Sequence, residues 1–142
     1  GIDLIKEQIR IAAGKKLSYR QQDVRIGGHA IECRINAENP KEQFRPSPGL
    51  ITDVYFPGGK GVRIDTAVYN GYEVPAYYDS MLAKLIVHAK TRKEAISKMR
   101  SALGEVIIEG VDTNVDYQYE IMNHPDYQAG NVDIEFISEK MC

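Results

Sequence analysis

The chain has 142 residues, 43% of them hydrophobic, and sets 18 basic against 20 acidic side chains for a net charge of −2. That supports one core of ordinary size rather than two domains, and it offers no basic stripe for a nucleic-acid backbone. No apolar run approaches the ~20 residues that span a bilayer, and no basic-then-apolar leader is visible. Two cysteines, Cys33 and Cys142, do not make a disulfide framework, so a cytoplasmic setting is expected. Gly1 stands where a start methionine would, and helical sequence begins within three residues of it. The chain is therefore expected to be a piece of a longer one.

Residues 3–13 put Leu4, Ile5, Ile9 and Ala12 on one helical stripe, with Asp3 as N-cap and Gly14 as the residue that ends the helix. A polar connection leads to HAIECRINAE, residues 29–38. Its odd positions, His29, Ile31, Cys33, Ile35 and Ala37, are mostly apolar, whereas Glu32, Arg34, Asn36 and Glu38 are all polar. That alternation predicts a half-buried strand. NPKEQFRPSPG reads as a loop, because three prolines and a glycine leave little regular structure possible. LITDVYF (50–56) and GVRIDTAV (61–68) read as strands joined by a hairpin turn at PGGK. EVPAYYDS is expected to be a loop and MLAKLIVHA (81–89) an interior strand.

A long helix is then expected over 91–109, with Thr91 and Glu94 as a capping box, an apolar repeat from Ala95 to Ile107, and Gly110 closing it. A shorter helix runs from about Asn114 to Asn123 and stops before Pro125. The apolar segment IEFIS ends the fold. Four strands with helices grouped at the two ends of the chain predict an α+β fold, a small antiparallel sheet flanked by helices in one domain spanning 1–142.

Most polar groupings have a structural reading. PGGKGV lacks the strand–G-x-x-x-x-G-K-[ST]–helix order of a phosphate loop. His29, His88 and His124 sit far apart without metal-ligand spacing, so no metal site is expected. Ser47 and Ser80 lack the context of a nucleophile elbow, and the tyrosines of YNGYEVPAYYD read as packing groups with solvated hydroxyls. The row Glu32, Arg34, Asn36, Glu38 is open. On periodicity and composition alone it is most simply a solvated face whose ion pairs are worth less than about 1 kcal/mol.

A resemblance changes that weighting. HAIECRINAE, FRPSPGLI, PGGKGVRID, YYDSMLAKLIV and EGVDTN occur in an order similar to the C-terminal domain of biotin carboxylase, and the similarity runs from the first helix to the final FISEK. CRINAE with PSPG looks most like the biotin carboxylase subunit of bacterial-type acetyl-CoA carboxylase, a ligase of the ATP-grasp type that serves fatty acid synthesis. The same domain of a pyruvate, propionyl-CoA or methylcrotonyl-CoA carboxylase is the alternative, and a purely structural or dimerisation module is a third reading.

The resemblance implies that the full-length enzyme uses ATP, with Mg2+ or Mn2+, and bicarbonate to carboxylate biotin on a carrier protein, with a carboxyltransferase as a further partner. Arg34 matches the arginine of the family's biotin site, and Asp79 matches a loop near the biotin pocket. Glu32, Asn36 and Glu38 are implied as supports for Arg34. GNVDIEFI matches a segment near the adenine and nominates Ile134, although Val132 stands where many relatives carry threonine. The family forms a homodimer through this domain, which points to the strand around Lys60 and Arg63 and to the outer side of the long helix near Glu105. The nucleotide-binding lysines, metal-binding glutamates, bicarbonate-binding arginine and catalytic glutamate of the family all lie upstream of residue 1. The isolated chain is accordingly expected to fold without binding a cofactor and to be inactive.

Overall fold

The computed structural model describes residues 1–141. Helix α1 (Leu4–Ala12) starts where Asp3 accepts from the Lys6 N–H and ends before Gly14, at φ +74°. Its stripe of Leu4, Ile5 and Ile9 is exposed, whereas Glu7 is buried and accepts from the Ser18 N–H at 3.1 Å. Strand β1 (His29–Asn36) follows the expected alternation: Ile31, Cys33 and Ile35 are buried while Glu32 and Arg34 face out. The proline-rich stretch is more ordered than a plain loop. Strand β2 (Glu38–Asn39), a 3-10 turn at Pro40–Glu42 and strand β3 (Arg45–Pro46) close on one another.

The segment expected to form one strand over 50–56 divides into β4 (Gly49–Leu50) and β5 (Asp53–Tyr55). Strand β6 (Val62–Thr66) does not pair back onto β5, so the hairpin expected at PGGK is absent. Pro57, with Gly59 at φ +133° and Gly61 at φ +78°, instead turns the chain between two different sheets. After the short strand β7 (Glu73–Val74), β8 (Met81–Ala89) takes the centre of a three-stranded antiparallel sheet ordered β1-β8-β6. Its apolar sequence fits that interior place, since it is covered by strands on both edges and by a helix on one face.

Helix α2 (Arg92–Glu105) is shorter than expected. Thr91 accepts from the Glu94 N–H, but the Glu94 carboxylate reaches Lys90 N–H rather than closing on Thr91. The helix stops at Val106, and Ile107–Glu109 forms β9, paired with β5. Val106, Ile107 and Ile108 are β-branched, lose side-chain freedom in a helix and suit an extended ladder. Helices α3 (Val115–Asn123), α4 (Pro125–Ala129) and α5 (Phe136–Lys140) finish the fold, so IEFIS becomes mostly helical. The architecture is α+β.

The main core lies between α2 and the sheet. Ala95, Ile96, Met99, Ala102 and Leu103 pack over Ile31, Cys33, Ile35, Leu85 and Val87, each large side chain contributing roughly 1.5–3 kcal/mol by leaving water. A second cluster gathers Ala37, Ile51, Val74 and Leu82. The switch between them is a register slip. Ile35 faces Ala83 but Asn36 faces Met81, leaving Leu82 as an extra residue that turns into the second cluster. No helix among the described residues is long and apolar enough to cross a membrane.

Candidate functional site

A cavity of about 330 Å³ lies beside the register slip, at the end of β1. Bulges re-aim side chains and interrupt pairing, and here the result is a concave wall made of both strands. Arg34, Asn36 and Glu38 come from β1 and β2, and Asp79, Ser80 and Met81 from the corner that enters β8. Tyr78, Pro46, Pro48 and Pro75 supply the less polar rim.

Four of the candidate residues therefore meet: Arg34, Asn36 and Glu38 with Asp79, 45 positions beyond Arg34 in the chain. The Arg34 side chain is 67% exposed, with the Glu32 carboxylate 3.8 Å from its Nε. That exposed ion pair is worth under about 1 kcal/mol. Glu32 lies on the same strand face but is absent from the cavity wall. Arg34 thus reaches into the open site as a permanently charged planar donor, largely free to meet an acceptor.

Glu38 organises the floor. Its Oε1 accepts from Asn36 Nδ2 at 3.2 Å and from Ser80 Oγ at 2.5 Å. Asn36 Oδ1 is buried and finds no donor among the described residues, and Glu38 orients this amide through Nδ2. Asp79 Oδ1 accepts from the Met81 N–H at 2.7 Å and thereby turns the corner into β8. Behind the wall, Asn114 is buried and binds β1 twice: Nδ2 donates to the Arg34 carbonyl and Oδ1 accepts from the Asn36 N–H. Its side chain does not cap α3.

Ser80 and Asn114 are the participants that sequence reasoning passed over. Ser80 was visible beside Asp79 in YYDS but carried no nucleophile context. Asn114 read only as the approximate start of a helix, a place asparagine favours for reasons that hide a long-range contact equally well. Ile134 is fully exposed between α4 and α5 and lies outside the cavity wall. Lys60, Arg63 and Glu105 are exposed on other surfaces, with Arg63 held in a two-bonded pair to Asp65.

The inward face of β1 carries no such chemistry. Burial, with the Glu32 charge adding to it, pushes the Cys33 thiol up to about 12, which keeps it protonated and unreactive. Cys142 lies outside the described residues. His88 Nε2 contacts the Gly27 carbonyl, and His124 accepts from the Asp126 N–H beside the Phe136 ring. Among the described residues no three His, Cys, Asp or Glu side chains group to hold a metal ion.

Residues 32–139 match the family model for the biotin carboxylase C-terminal domain. A biotin carboxylase of Allochromatium vinosum is 54% identical over 99% of this chain and 31% of its own length. A pyruvate carboxylase subunit of Methanothermobacter thermautotrophicus is 51% identical over 98% of the chain and 28% of its own. Among solved structures, the biotin carboxylase domain dimer of Hydrogenobacter thermophilus 2-oxoglutarate carboxylase, bound to ADP, MgADP and bicarbonate, superposes with a TM-score of 0.93 at 47% identity. That match covers 98% of this chain and 31% of the other. The chain spans about a third of the length of the relatives it matches. With all the motifs in order and the fold shared, the chain belongs to the biotin carboxylase C-terminal domain family.

Proposed function

We propose that this chain is the C-terminal part of a biotin carboxylase and supplies one wall of its biotin site. The observation that carries the reading is the meeting of Arg34, Asn36, Glu38 and Asp79 around one cavity. In the full-length enzyme, ATP and bicarbonate give carboxyphosphate and ADP. The carboxyl group then passes to a ureido nitrogen of biotin and phosphate leaves. The nitrogen gives its proton to a base outside this chain, and negative charge moves onto the ureido oxygen. A planar, permanently charged donor aimed there stabilises that charge as it develops. Arg34 takes this role.

Asp79 borders the biotin pocket, and Glu32, Asn36 and Glu38 hold the surroundings of Arg34. Ile134 is assigned to the neighbourhood of the adenine, for which its exposure leaves room. Mg2+ or Mn2+ would be held outside this chain, whose described residues group no metal ligands, and no step here depends on it. The carrier protein bearing biotin and a carboxyltransferase are the partners, in the cytoplasm. A homodimer would use the exposed side of β6 near Lys60 and Arg63 and the outer side of α2 near Glu105.

The acetyl-CoA enzyme is the parent favoured by CRINAE and PSPG. The pyruvate and 2-oxoglutarate relatives make another biotin-dependent carboxylase the specific second reading. In the full-length enzyme, Arg34→Ala should lower turnover with biotin by about 10²-fold or more, the scale of losing one donor to a developing oxyanion. Arg34→Lys should recover only part of it, since a point charge lacks the fork. Near-normal carboxylation by Arg34→Ala would overturn the assignment.

A further inference from the structure

Glu38 and Ser80 make a contact that the reaction above leaves unused. Ser80 is tied to the end of β1 at two points: its carbonyl accepts from the Ala37 N–H at 2.7 Å, and its hydroxyl donates to Glu38. The Glu38 oxygen that receives the hydroxyl also receives the Asn36 amide. One carboxylate oxygen therefore joins a residue two positions beyond Arg34 to a residue adjacent to Asp79. Short hydrogen bonds to an ionised acceptor are the stronger kind. On the side of the chain that enters the corner there is little packing, since Tyr77 and Tyr78 are 92% and 81% exposed. The Asp79 oxygen Oδ1 is already committed to Met81 N–H.

We propose that Glu38 and Ser80 are positioning residues that set the separation and mutual aim of Arg34 and Asp79, and so the affinity of the site for a cyclic urea. The inference rests on the biotin-site reading of Arg34. The proposed role of both residues is to position, with no contact to the transferring carboxyl group required. Both act through the Asp79 corner, whose misplacement by about 1 Å could cost as much as 10²-fold.

The test is a double-mutant cycle in the full-length enzyme, with free biotin as the probe and separate KM values for biotin and MgATP. Ser80→Ala and Glu38→Ala should each raise KM for biotin about tenfold, the scale of one charge-assisted hydrogen bond, with KM for MgATP unmoved. The double variant should be little worse than Glu38→Ala alone, because that variant already removes the Ser80 contact along with the Asn36 one. Ser80→Thr, which keeps the hydroxyl, should restore biotin affinity. Single variants within twofold of the parent, losses that multiply in the double variant, or a Ser80→Thr as impaired as Ser80→Ala would each overturn the proposal. Should either alanine variant fail to fold, the Ser80→Thr and Ser80→Cys pair decides, since only the first keeps a strong donor. A functional Arg34→Ala would sink the biotin-site reading itself, whereas unaffected Glu38 and Ser80 variants beside an impaired Arg34→Ala sink only this inference.

Discussion

Asn114 Nδ2 donates to the main-chain oxygen of Arg34 at 3.1 Å, and its Oδ1 accepts from the Asn36 N–H at 2.9 Å. One buried side chain from the start of α3 thus holds both flanks of Ile35 where β1 slips register against β8. Truncation leaves a donor and an acceptor unpaired in a part-buried place, at a cost of about 1–3 kcal/mol. Asn114→Ala should lower the free energy of urea unfolding by that amount. Asn114→Asp should be no milder, because it sets a carboxylate oxygen against the Arg34 carbonyl. Unfolding of Asn114→Ala within about 0.5 kcal/mol of the parent, a margin typical of inert surface changes, would refute the clamp.

The same residue marks how far the sequence could be read. Period-two alternation was enough to place Arg34 outward and Ile31, Cys33 and Ile35 inward, because a strand has only two faces. It could not show that Asp79 would arrive beside Arg34, since that depends on β8 pairing with β1 across the intervening loops. Val106 and Ile107 continue the helical spacing of Met99 and Leu103, so spacing alone cannot separate helix from strand there. Pairing with β5 decides for the strand. PGGK has the composition of a hairpin turn, yet the strands on either side find better partners in β9 and β8. Beside the cavity the register slip leaves one extra residue in β8, Leu82, which no periodicity marks. Local chemistry was legible in the sequence, and long-range pairing was not.

The Cys33 thiol should report directly on opening of the core. Burial first, then the Glu32 charge, pushes it up to about 12, so the folded state favours the protonated form. Below the ordinary thiol range, near 8.5, both states are protonated and Cys33 contributes no pH dependence. Above it the unfolded chain loses the proton while the folded chain keeps it until about 12. Stability is therefore lost as pH rises through that window. In a Cys142→Ser background, the urea midpoint should fall between about pH 8.5 and 10.5 more steeply than in the same protein carrying Cys33→Ala. At neutral pH a thiol reagent should label Cys33 only as fast as the chain opens. Identical pH dependence in the two proteins would contradict this account.

The two apolar faces of the helices should respond differently to truncation. Met99 and Leu103 on α2 are buried in the main core, whereas Ile9 on α1 is 66% exposed. Leu103→Ala leaves a cavity against the sheet and should cost about 2–5 kcal/mol. Ile9→Ala removes little buried surface in this chain and should change stability by less than about 0.5 kcal/mol. Thermal unfolding of the two variants checks the contrast, and equal losses would mean that α1 packs more tightly than its exposure indicates.

Gly110 and Gly104 make an opposed pair in one stretch of sequence. Gly110 turns the chain out of β9 at φ +98°, and a Cβ there would lie 2.1 Å from the Leu50 carbonyl oxygen and 3.1 Å from the Thr52 nitrogen. Backbone strain of this kind costs about 1–3 kcal/mol before any clash is counted. Leu50 pairs with β7 and Thr52 N–H bonds the Glu109 carbonyl, so neither can yield without disturbing a ladder. Gly104 lies in α2, where an added Cβ meets nothing within 4 Å. Alanine there relieves the entropy that glycine loses in a helix, about 0.5–1 kcal/mol. Gly110→Ala should therefore lower the unfolding midpoint while Gly104→Ala raises it. The size of the Gly110→Ala loss tests the strand assigned to Ile107–Glu109: the clash with Leu50 and Thr52 should take it beyond the about 1–3 kcal/mol of left-handed strain, which is all that a free helix end would cost.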